Sequence, residues 1–161
     1  MTSEEPEGRH AQLSALETAF VGDGLHMREA EWGEMRVGFE AYAADFDDAA
    51  LLAGLPNDRC QCPHWGYLLS GRMTVRYADR EDVVTGGEAY YMAPDHTIAV
   101  DAGTVLVEFS PRDEYRRTAE VAIRNATEME EGRSEAATEG RDGTTSEDGN
   151  ETASEGGSEA A

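Results

Sequence analysis

Between residues 34 and 109 the sequence alternates short apolar segments with turn-forming residues. The segments are rich in Val, Tyr, Thr and Leu, and Gly, Asp and Pro separate them at even intervals. Short strands at such spacing are typical of an antiparallel sandwich or barrel of the jelly-roll kind, so the sequence predicts an all-β domain. The predicted strands are residues 34–42, 60–69, 72–77, 82–85, 88–92, 97–100 and 104–109, with turns at Ser70-Gly71, Ala78-Asp79, Gly86-Gly87 and Ala102-Gly103.

The two ends of the chain have a different pattern. Residues 11–20 place Leu13, Leu16 and Phe20 at three- and four-residue spacing, which predicts a short amphipathic helix within an N-terminal extension of residues 1–24. The barrel is expected at residues 25–111 and a C-terminal helix at residues 112–131. An apolar stripe is expected to pack this helix on the barrel or across a dimer. The stripe consists of Tyr115, Ala119, Ala122, Ala126 and Met129.

Two further features concern the C-terminal segments. Ser110, Pro111 and Asp113 have the residue types that open a helix, with the serine as its cap. Residues 132–161 contain no Val, Ile, Leu, Met, Phe, Trp, Tyr or Cys. Such a segment cannot bury enough apolar surface to offset its chain entropy, so we predict a disordered acidic tail.

The charge balance restricts the partners of this chain. It has 34 acidic residues, 13 arginines and no lysine, and its formal net charge is −21. Nucleic acid and anionic membrane surfaces are disfavoured, because both bind proteins through basic side chains, and chemistry that needs a lysine is excluded. No apolar segment approaches the ~20 residues of a membrane helix, so we expect a soluble, cytoplasmic protein. High-salt adaptation and arginine-biased codon usage account equally well for the composition.

The densest group of reactive side chains is Cys60, Cys62 and His64, with His96 about thirty residues later. On one continuous strand the first three would point to the same side. Two sulfurs and two imidazoles are ligands that zinc prefers and that iron(II) also accepts, so the sequence predicts one divalent metal ion bound by these four residues. The alternatives are that the cysteines are small buried apolar residues and that His96 is a hydrogen-bonded loop residue. A disulfide between the two cysteines would be strained in an extended strand.

The same region resembles the two core motifs of the cupin superfamily. These are usually written G-x5-H-x-H-x3-4-E-x6-G and G-x5-P-x-H-x3-N, and residues 64–77 and 87–96 correspond to parts of them. With Gly71 at the last glycine of the first motif, His64 stands at its glutamate position, and Cys60 and Asp58 stand at its histidine positions. His96 matches the histidine of the second motif. The resemblance implies a small single-domain β-barrel that encloses a metal, with Asp58 as a possible substitute ligand.

Three functions are compatible with this reading. The first is a metallo-cupin enzyme with an open coordination position, in which Tyr67, Tyr77 and Glu108 are inward-facing candidates for proton transfer. The second is a non-catalytic binding or sensing module, with a metal site closed by four ligands or with no metal. The third is an interaction scaffold. We expect a metal-binding cupin that takes a small-molecule ligand, and the resemblance together with the helix stripe implies a homodimer.

Overall fold

The computed structural model describes residues 10–22 and 24–139 of the chain. Within these residues the chain forms ten strands, two single-turn 3₁₀ helices at Leu13–Ala15 and Pro56–Asp58, and one long α-helix. The strands are β1 (Glu17–Gly22), β2 (Leu25–Trp32), β3 (Met35–Tyr42), β4 (Phe46–Asp47), β5 (His64–Ser70), β6 (Arg72–Arg76), β7 (Glu81–Thr85), β8 (Ala89–Met92), β9 (Thr97–Val100) and β10 (Thr104–Pro111). The α-helix is α1 (Arg112–Glu139).

The strands form two antiparallel sheets. The six-stranded sheet has the order β1-β2-β3-β10-β5-β8, and the four-stranded sheet has the order β4-β9-β6-β7. One buried apolar cluster joins them, because Leu68 and Leu106 of the first sheet pack with Met73, Val75 and Val100 of the second. The predicted all-β fold with a C-terminal helix is confirmed.

Most of the predicted strands are confirmed with ends shifted by one or two residues. The agreement has a local cause, because the turns between these strands contain glycines in a backbone conformation that favours glycine. The φ angles are +87° at Gly71, +96° at Gly87 and +87° at Gly103. The segment 60–69 differs, since its strand begins only at His64.

Strand β10 lies inside the six-stranded sheet, between β3 and β5. Its side chains alternate between two faces, so that Glu108 and Ser110 are buried while Phe109 between them is exposed. Glu108 pairs with Gly38 on β3 and with Gly66 on β5. A buried carboxylate therefore has a glycine on each side in the plane of the sheet.

The predicted helix over residues 11–20 is wrong. This segment forms one 3₁₀ turn and then strand β1, which pairs with β2 from Glu17 opposite Glu29 to Gly22 opposite Leu25. The helical spacing of its apolar residues is overridden by pairing with a neighbouring strand. The expected boundary after residue 24 consequently falls inside a hairpin, and residues 17–22 belong to the same sheet as the barrel strands.

Helix α1 begins at Arg112 as expected, but it extends to Glu139 instead of ending at residue 131. Residues 132–139, assigned to the disordered tail, are thus helical, because Glu, Ala and Arg are good helix formers. The rest of that tail, residues 140–161, lies outside the described residues. Ser110 does not cap the helix, since it is part of β10 and its hydroxyl points to His64.

The stripe on α1 faces the sheets over residues 112–128, which form one compact unit with them. Tyr115, Ala119, Ala122 and Ala126 are each half-buried. In the part of the chain that the structure describes, neither α1 nor any shorter helix has the length and apolar character needed to cross a membrane.

Candidate metal centre

Three side chains from separate parts of the sequence converge in the interior. Cys60, His64 and His96 are all buried, and each offers one ligand atom that lies within 4.8 Å of the other two. The Cys60 Sγ is 3.4 Å from the His64 Nε2, and the two imidazole rings meet edge to face with their centroids 5.3 Å apart. A thiol and two imidazoles in this arrangement are suited to hold zinc or iron(II).

The backbone brings these residues together through an isolated antiparallel bridge. Cys60 pairs with His96, and the Cys60 N–H donates to the His96 carbonyl at 2.8 Å. The Asp95 N–H donates to the Cys60 carbonyl at 2.7 Å, so the loop before β9 is fixed on the segment before β5. His64 is the first residue of β5 and reaches the same place from the adjoining sheet.

The ring of His64 is oriented by β10. Its Nδ1 lies 2.9 Å from the Glu108 Oε1 and 2.7 Å from the Ser110 Oγ. Burial by itself raises the pKa of Glu108, but His64 and then Arg36 outweigh it and lower this pKa to about 2. An ionised carboxylate only accepts hydrogen bonds, so Nδ1 carries the proton and Nε2 faces Cys60. Such a carboxylate behind a histidine is a common feature of metal sites.

The ring of His96 is also oriented through its Nδ1 atom, in this case by a backbone carbonyl. Its Nδ1 is 2.6 Å from the Ala93 carbonyl oxygen, which only accepts, so this nitrogen is the donor. In the neutral ring the lone pair is then on Nε2. Both histidines therefore have one nitrogen held by protein and one available to a metal.

The electrostatics favour a thiolate at Cys60. Burial raises the pKa of this thiol, but hydrogen bonds and charge from His64 and His96 outweigh burial and lower the pKa to about 6. Burial conversely lowers the pKa of His64, and Glu108 and Cys60 raise it to about 10. The thiolate is the form that binds metal, and it is paired here with a protonated imidazole whose proton a metal ion must displace.

A buried charge network lies behind Glu108. Arg36 donates to Glu29 at 2.9 Å and to Glu40 at 3.2 Å, and its Nη1 is 3.6 Å from the Glu108 Oε1. The ring of Tyr115 lies 4.0 Å from the Arg36 Cζ. Arg36 thus supplies the positive charge that keeps two carboxylates in the protein interior.

Two glycines make room for this network. A Cβ at Gly38 would collide with the Arg36 guanidinium, and one at Gly66 would collide with the Tyr90 phenol. The Tyr90 hydroxyl donates to the Glu108 Oε2 at 3.0 Å. The absence of a side chain at these positions lets both groups lie flat on the sheet beside Glu108.

Helix α1 covers the cluster. The Thr118 Oγ1 lies 3.7 Å from the Cys60 Sγ, and the Asn125 Nδ2 donates to the carbonyls of Leu51 and Ala53 at 2.8 and 2.9 Å. These contacts hold the helix on the loop after β4 and directly beside the candidate ligands.

Comparison with known proteins gives similarity at the level of structure. No protein-family model matches the sequence, and no curated protein matches it. The chain is similar to an RmlC-like cupin from Shewanella frigidimarina, at 17% identity over 66% of this chain and 95% of that chain, with a TM-score of 0.46. It is also similar to KdgF from Halomonas sp., at 15% identity over 66% of this chain and 96% of that chain, with a TM-score of 0.45. For the polyketide cyclase RemF from Streptomyces resistomycificus the identity is 13% over 66% of this chain and 80% of that chain, with a TM-score of 0.47.

Two antiparallel sheets enclose an apolar core, and the residues of the two motifs meet through the bridge between Cys60 and His96. The fold consists of two antiparallel sheets with a C-terminal helix.

The fold brings together three of the four predicted metal ligands and leaves Cys62 outside their cluster. Strand alternation is not the reason for the convergence, because β5 starts at His64 and the two cysteines lie before it. Cys62 is buried against Leu52, and its Sγ is 3.4 Å from the Pro63 carbonyl oxygen. Burial, followed by the charges of Cys60 and Glu108, raises the pKa of the Cys62 thiol well above its usual range.

The remaining expected site residues have different positions in the fold. Asp58 lies in a 3₁₀ turn outside the cluster, where its carboxylate accepts from the Gly54 N–H. Tyr67 points outward with 44% of its surface exposed, so the inward orientation expected for it is wrong. The Tyr77 ring lies 6.2 Å from that of His96, and its hydroxyl accepts from the Ala93 N–H. Glu108 is buried as expected, in contact with His64.

Sequence reasoning missed the residues that surround this contact. Arg36, Glu40 and Ser110 are buried polar residues of strands β3 and β10. The sequence carries a signal for the two residues of β3. Residues 36, 38, 40 and 42 share one face of this strand, and three of them are polar. Polar residues that repeat on the buried face of a strand indicate an internal polar site.

Replacing Glu108 with glutamine is expected to weaken zinc binding by roughly 10- to 100-fold, because the acceptor that orients and polarises His64 loses its charge. Glu88→Gln is the matched control, since Glu88 is exposed and its carboxylate accepts hydrogen bonds from Thr85, away from the cluster. Competition with a chromophoric chelator measures both affinities. Equal affinities in the two variants would show that Glu108 does not support the metal site.

Proposed function

We propose that this chain is a metal-binding cupin in which Cys60, His64 and His96 hold one zinc or iron(II) ion inside the barrel. The observation that carries the proposal is the convergence of three buried ligand atoms within 4.8 Å. The donor set also fits, because a thiolate and two neutral imidazoles match the ligand preferences of both metals. The buried Glu108 beside His64 supplies the outer contact that such sites need.

We further propose that a small molecule or water takes the remaining coordination position. Three protein ligands leave one position of a tetrahedral site open, which is the arrangement of catalytic rather than structural zinc sites. When bound, the metal supplies Lewis-acid or water-activating chemistry at that position. Glu108 and Ser110 fix the His64 ring, and Tyr77 is the nearby phenol next to His96.

A second candidate function is a non-catalytic sensing or structural site. The position of α1 favours it, because Thr118 is 3.7 Å from Cys60 and the helix is hydrogen-bonded to the loop after β4. A helix that stays in this position limits access of a substrate to the cluster. Exchange of the bound ligand separates the two candidates, since a catalytic site takes up exogenous ligands such as azide or cyanide and a closed site does not.

Both cysteines are free thiols. Free thiols persist in reducing compartments, which supports the proposal that the protein works in the cytoplasm. The proposal is independent of the identity of the metal.

Elemental analysis of untagged protein, purified without added metal, tests the proposal. We expect one equivalent of zinc or iron per chain. After cobalt(II) substitution we expect a sulfur-to-cobalt charge-transfer band from one thiolate and d–d bands typical of a four-coordinate site. Protein that contains no metal and does not bind cobalt(II) at micromolar concentration would overturn the proposal.

A further inference from the structure

Two of the three candidate ligands lie in loops and not in regular strands. Cys60 follows the 3₁₀ turn before β5, and His96 lies between β8 and β9. We call residues 56–61 the cysteine loop and residues 93–96 the histidine loop. An isolated bridge joins the two loops instead of a continuous ladder. One bridge orders few residues, so the relative position of the two ligands depends on further contacts between the loops.

The side chain of Asp95 supplies such contacts. Its Oδ1 accepts from the Asn57 Nδ2 at 3.1 Å and from the Gln61 Nε2 at 3.3 Å. Asn57 and Gln61 lie on the two sides of Cys60 in the sequence, whereas Asp95 directly precedes His96. One oxygen atom therefore connects the histidine loop with both ends of the cysteine loop.

Two long side chains of the cysteine loop reinforce this connection. The Gln61 amide also donates to the carbonyls of Pro56 and Arg59, each at 3.1 Å, which fixes it on its own loop. The Arg59 Nη1 lies 3.5 Å from the Asp95 carbonyl oxygen and donates to the Arg76 carbonyl on β6 at 3.1 Å. The contact between the loops is thus also tied to the four-stranded sheet.

The backbone of both loops has an uncommon conformation. Among the described residues, the non-glycine residues with positive φ are Asn57 at 57°, Asp58 at 52° and Asp95 at 74°. All three belong to the two loops. Asn and Asp tolerate this conformation better than other residues with a Cβ, but it still costs free energy and persists where the surrounding structure holds it. Backbone strain of this kind is concentrated at functional sites.

We propose that Asp95 is a positioning residue that holds the two loops together before a metal binds, so that Cys60 and His96 are already placed as ligands. The consequence for metal affinity rests on the proposed function, whereas the contact between the loops does not. A site with its ligands in place binds metal without first ordering the loops. If the loops separate, the affinity falls in proportion to the fraction of molecules in which they remain joined.

Two substitutions of Asp95 in the full chain separate its side chain from its backbone. Glycine favours a positive φ but has no acceptor, so Asp95→Gly should weaken zinc binding by roughly 10-fold, as expected if about one molecule in ten keeps the loops joined. Asparagine tolerates the same φ and keeps the Oδ1 acceptor for both amides, so the affinity of Asp95→Asn should stay within about threefold of the parent. Competition with a chromophoric chelator measures these affinities.

Asp58→Gly is the matched control. It also replaces an aspartate at positive φ, but the Asp58 carboxylate accepts from the Gly54 N–H and makes no contact with the histidine loop among the hydrogen bonds of the described residues. Its affinity for zinc should stay within about threefold of the parent. The two glycine variants should lose similar free energies of unfolding in the metal-free state, because each loses one carboxylate and gains the same chain entropy when unfolded. A general loss of stability therefore does not separate them, whereas zinc affinity does.

Hydrogen exchange of the Cys60 N–H in the metal-free protein tests the contact without any metal. This N–H donates to the His96 carbonyl at 2.8 Å, so it is protected while the loops are joined. Its exchange should be about 10-fold faster in Asp95→Gly than in the parent, and close to that of the parent in Asp95→Asn and Asp58→Gly.

Three results would overturn the proposal. They are unchanged exchange of the Cys60 N–H in Asp95→Gly, a zinc affinity of that variant equal to that of the parent, and equal losses of affinity in Asp95→Gly and in either of the other two variants. A parent that binds no zinc would instead overturn the proposed function. The exchange rates would then still decide whether Asp95 joins the loops.

Discussion

Replacing Cys60 with serine is expected to lower the affinity for zinc by more than about 100-fold, a larger loss than that caused by changes behind a ligand. The sulfur of Cys60 is 3.4 Å from His64 and the only sulfur within the cluster formed by the described residues. A serine hydroxyl remains protonated at neutral pH and is a poor ligand for zinc, so the site keeps two imidazoles. Chelator competition gives the affinity, and the cobalt(II) protein should lose its sulfur charge-transfer band.

Cys62→Ser is the matched control for this experiment. Cys62 is buried two residues away but points to the carbonyls of Pro63 and Pro111, and a serine hydroxyl can donate to the same region. Its affinity for zinc should stay within about threefold of the parent. Strong loss in Cys62→Ser would restore the four-ligand set expected from the sequence, and full retention in Cys60→Ser would remove the site.

Replacing Arg36 with leucine is expected to reduce the free energy of unfolding by about 3–5 kcal/mol, which is typical when one partner of a buried ion pair is removed. The variant leaves Glu40 and Glu108 buried without their common cation. Arg76→Leu is the control, because Arg76 pairs with Asp47 at an exposed position and such pairs contribute at most about 1 kcal/mol. Urea unfolding monitored by circular dichroism measures both losses.

The loss in Arg36→Leu should also depend on pH. Burial, followed by the charge of Glu108, already raises the pKa of Glu40 in the folded protein. A raised folded pKa contributes stability at low pH that is lost as the pH rises through it, and removal of Arg36 raises it further. The difference from the parent should therefore be larger at pH 8 than at pH 5. A loss equal to that of Arg76→Leu, or independent of pH, would show that Arg36 does not compensate the buried carboxylates.

The strands of this fold were predictable because their signals are local. Turn glycines such as Gly71 and Gly103 need a positive φ, and the apolar segments between them have the length of strands. The N-terminal segment shows where local signals fail. Its helical spacing of Leu13, Leu16 and Phe20 gave no indication that residues 17–22 would pair with β2, because that pairing depends on a neighbouring strand.

The residues of the cluster were visible in the sequence, but the reason for their convergence was not. Cys60, His64 and His96 are uncommon residues placed near two cupin-like motifs. Alternation along one strand predicts that Cys62 points to the same side as Cys60 and His64. In the structure, Cys60 instead pairs with His96 in an isolated bridge that precedes β5. A segment that is not yet a strand does not alternate its side chains regularly, so the direction of Cys62 depended on packing against Leu52.

The sequence by itself determined the all-β class, the turns, the C-terminal helix and the types of side chain available to bind a metal. Only the tertiary structure decided that Glu108 lies buried between Arg36 and His64. It also decided that Tyr67 faces outward. These outcomes depend on which face of each strand turns inward, and β5 carries apolar residues on both faces. A pattern of period two does not distinguish two apolar faces, so the choice is made by register with β10, where Glu108 lies opposite Gly66 and Phe109 lies opposite Trp65.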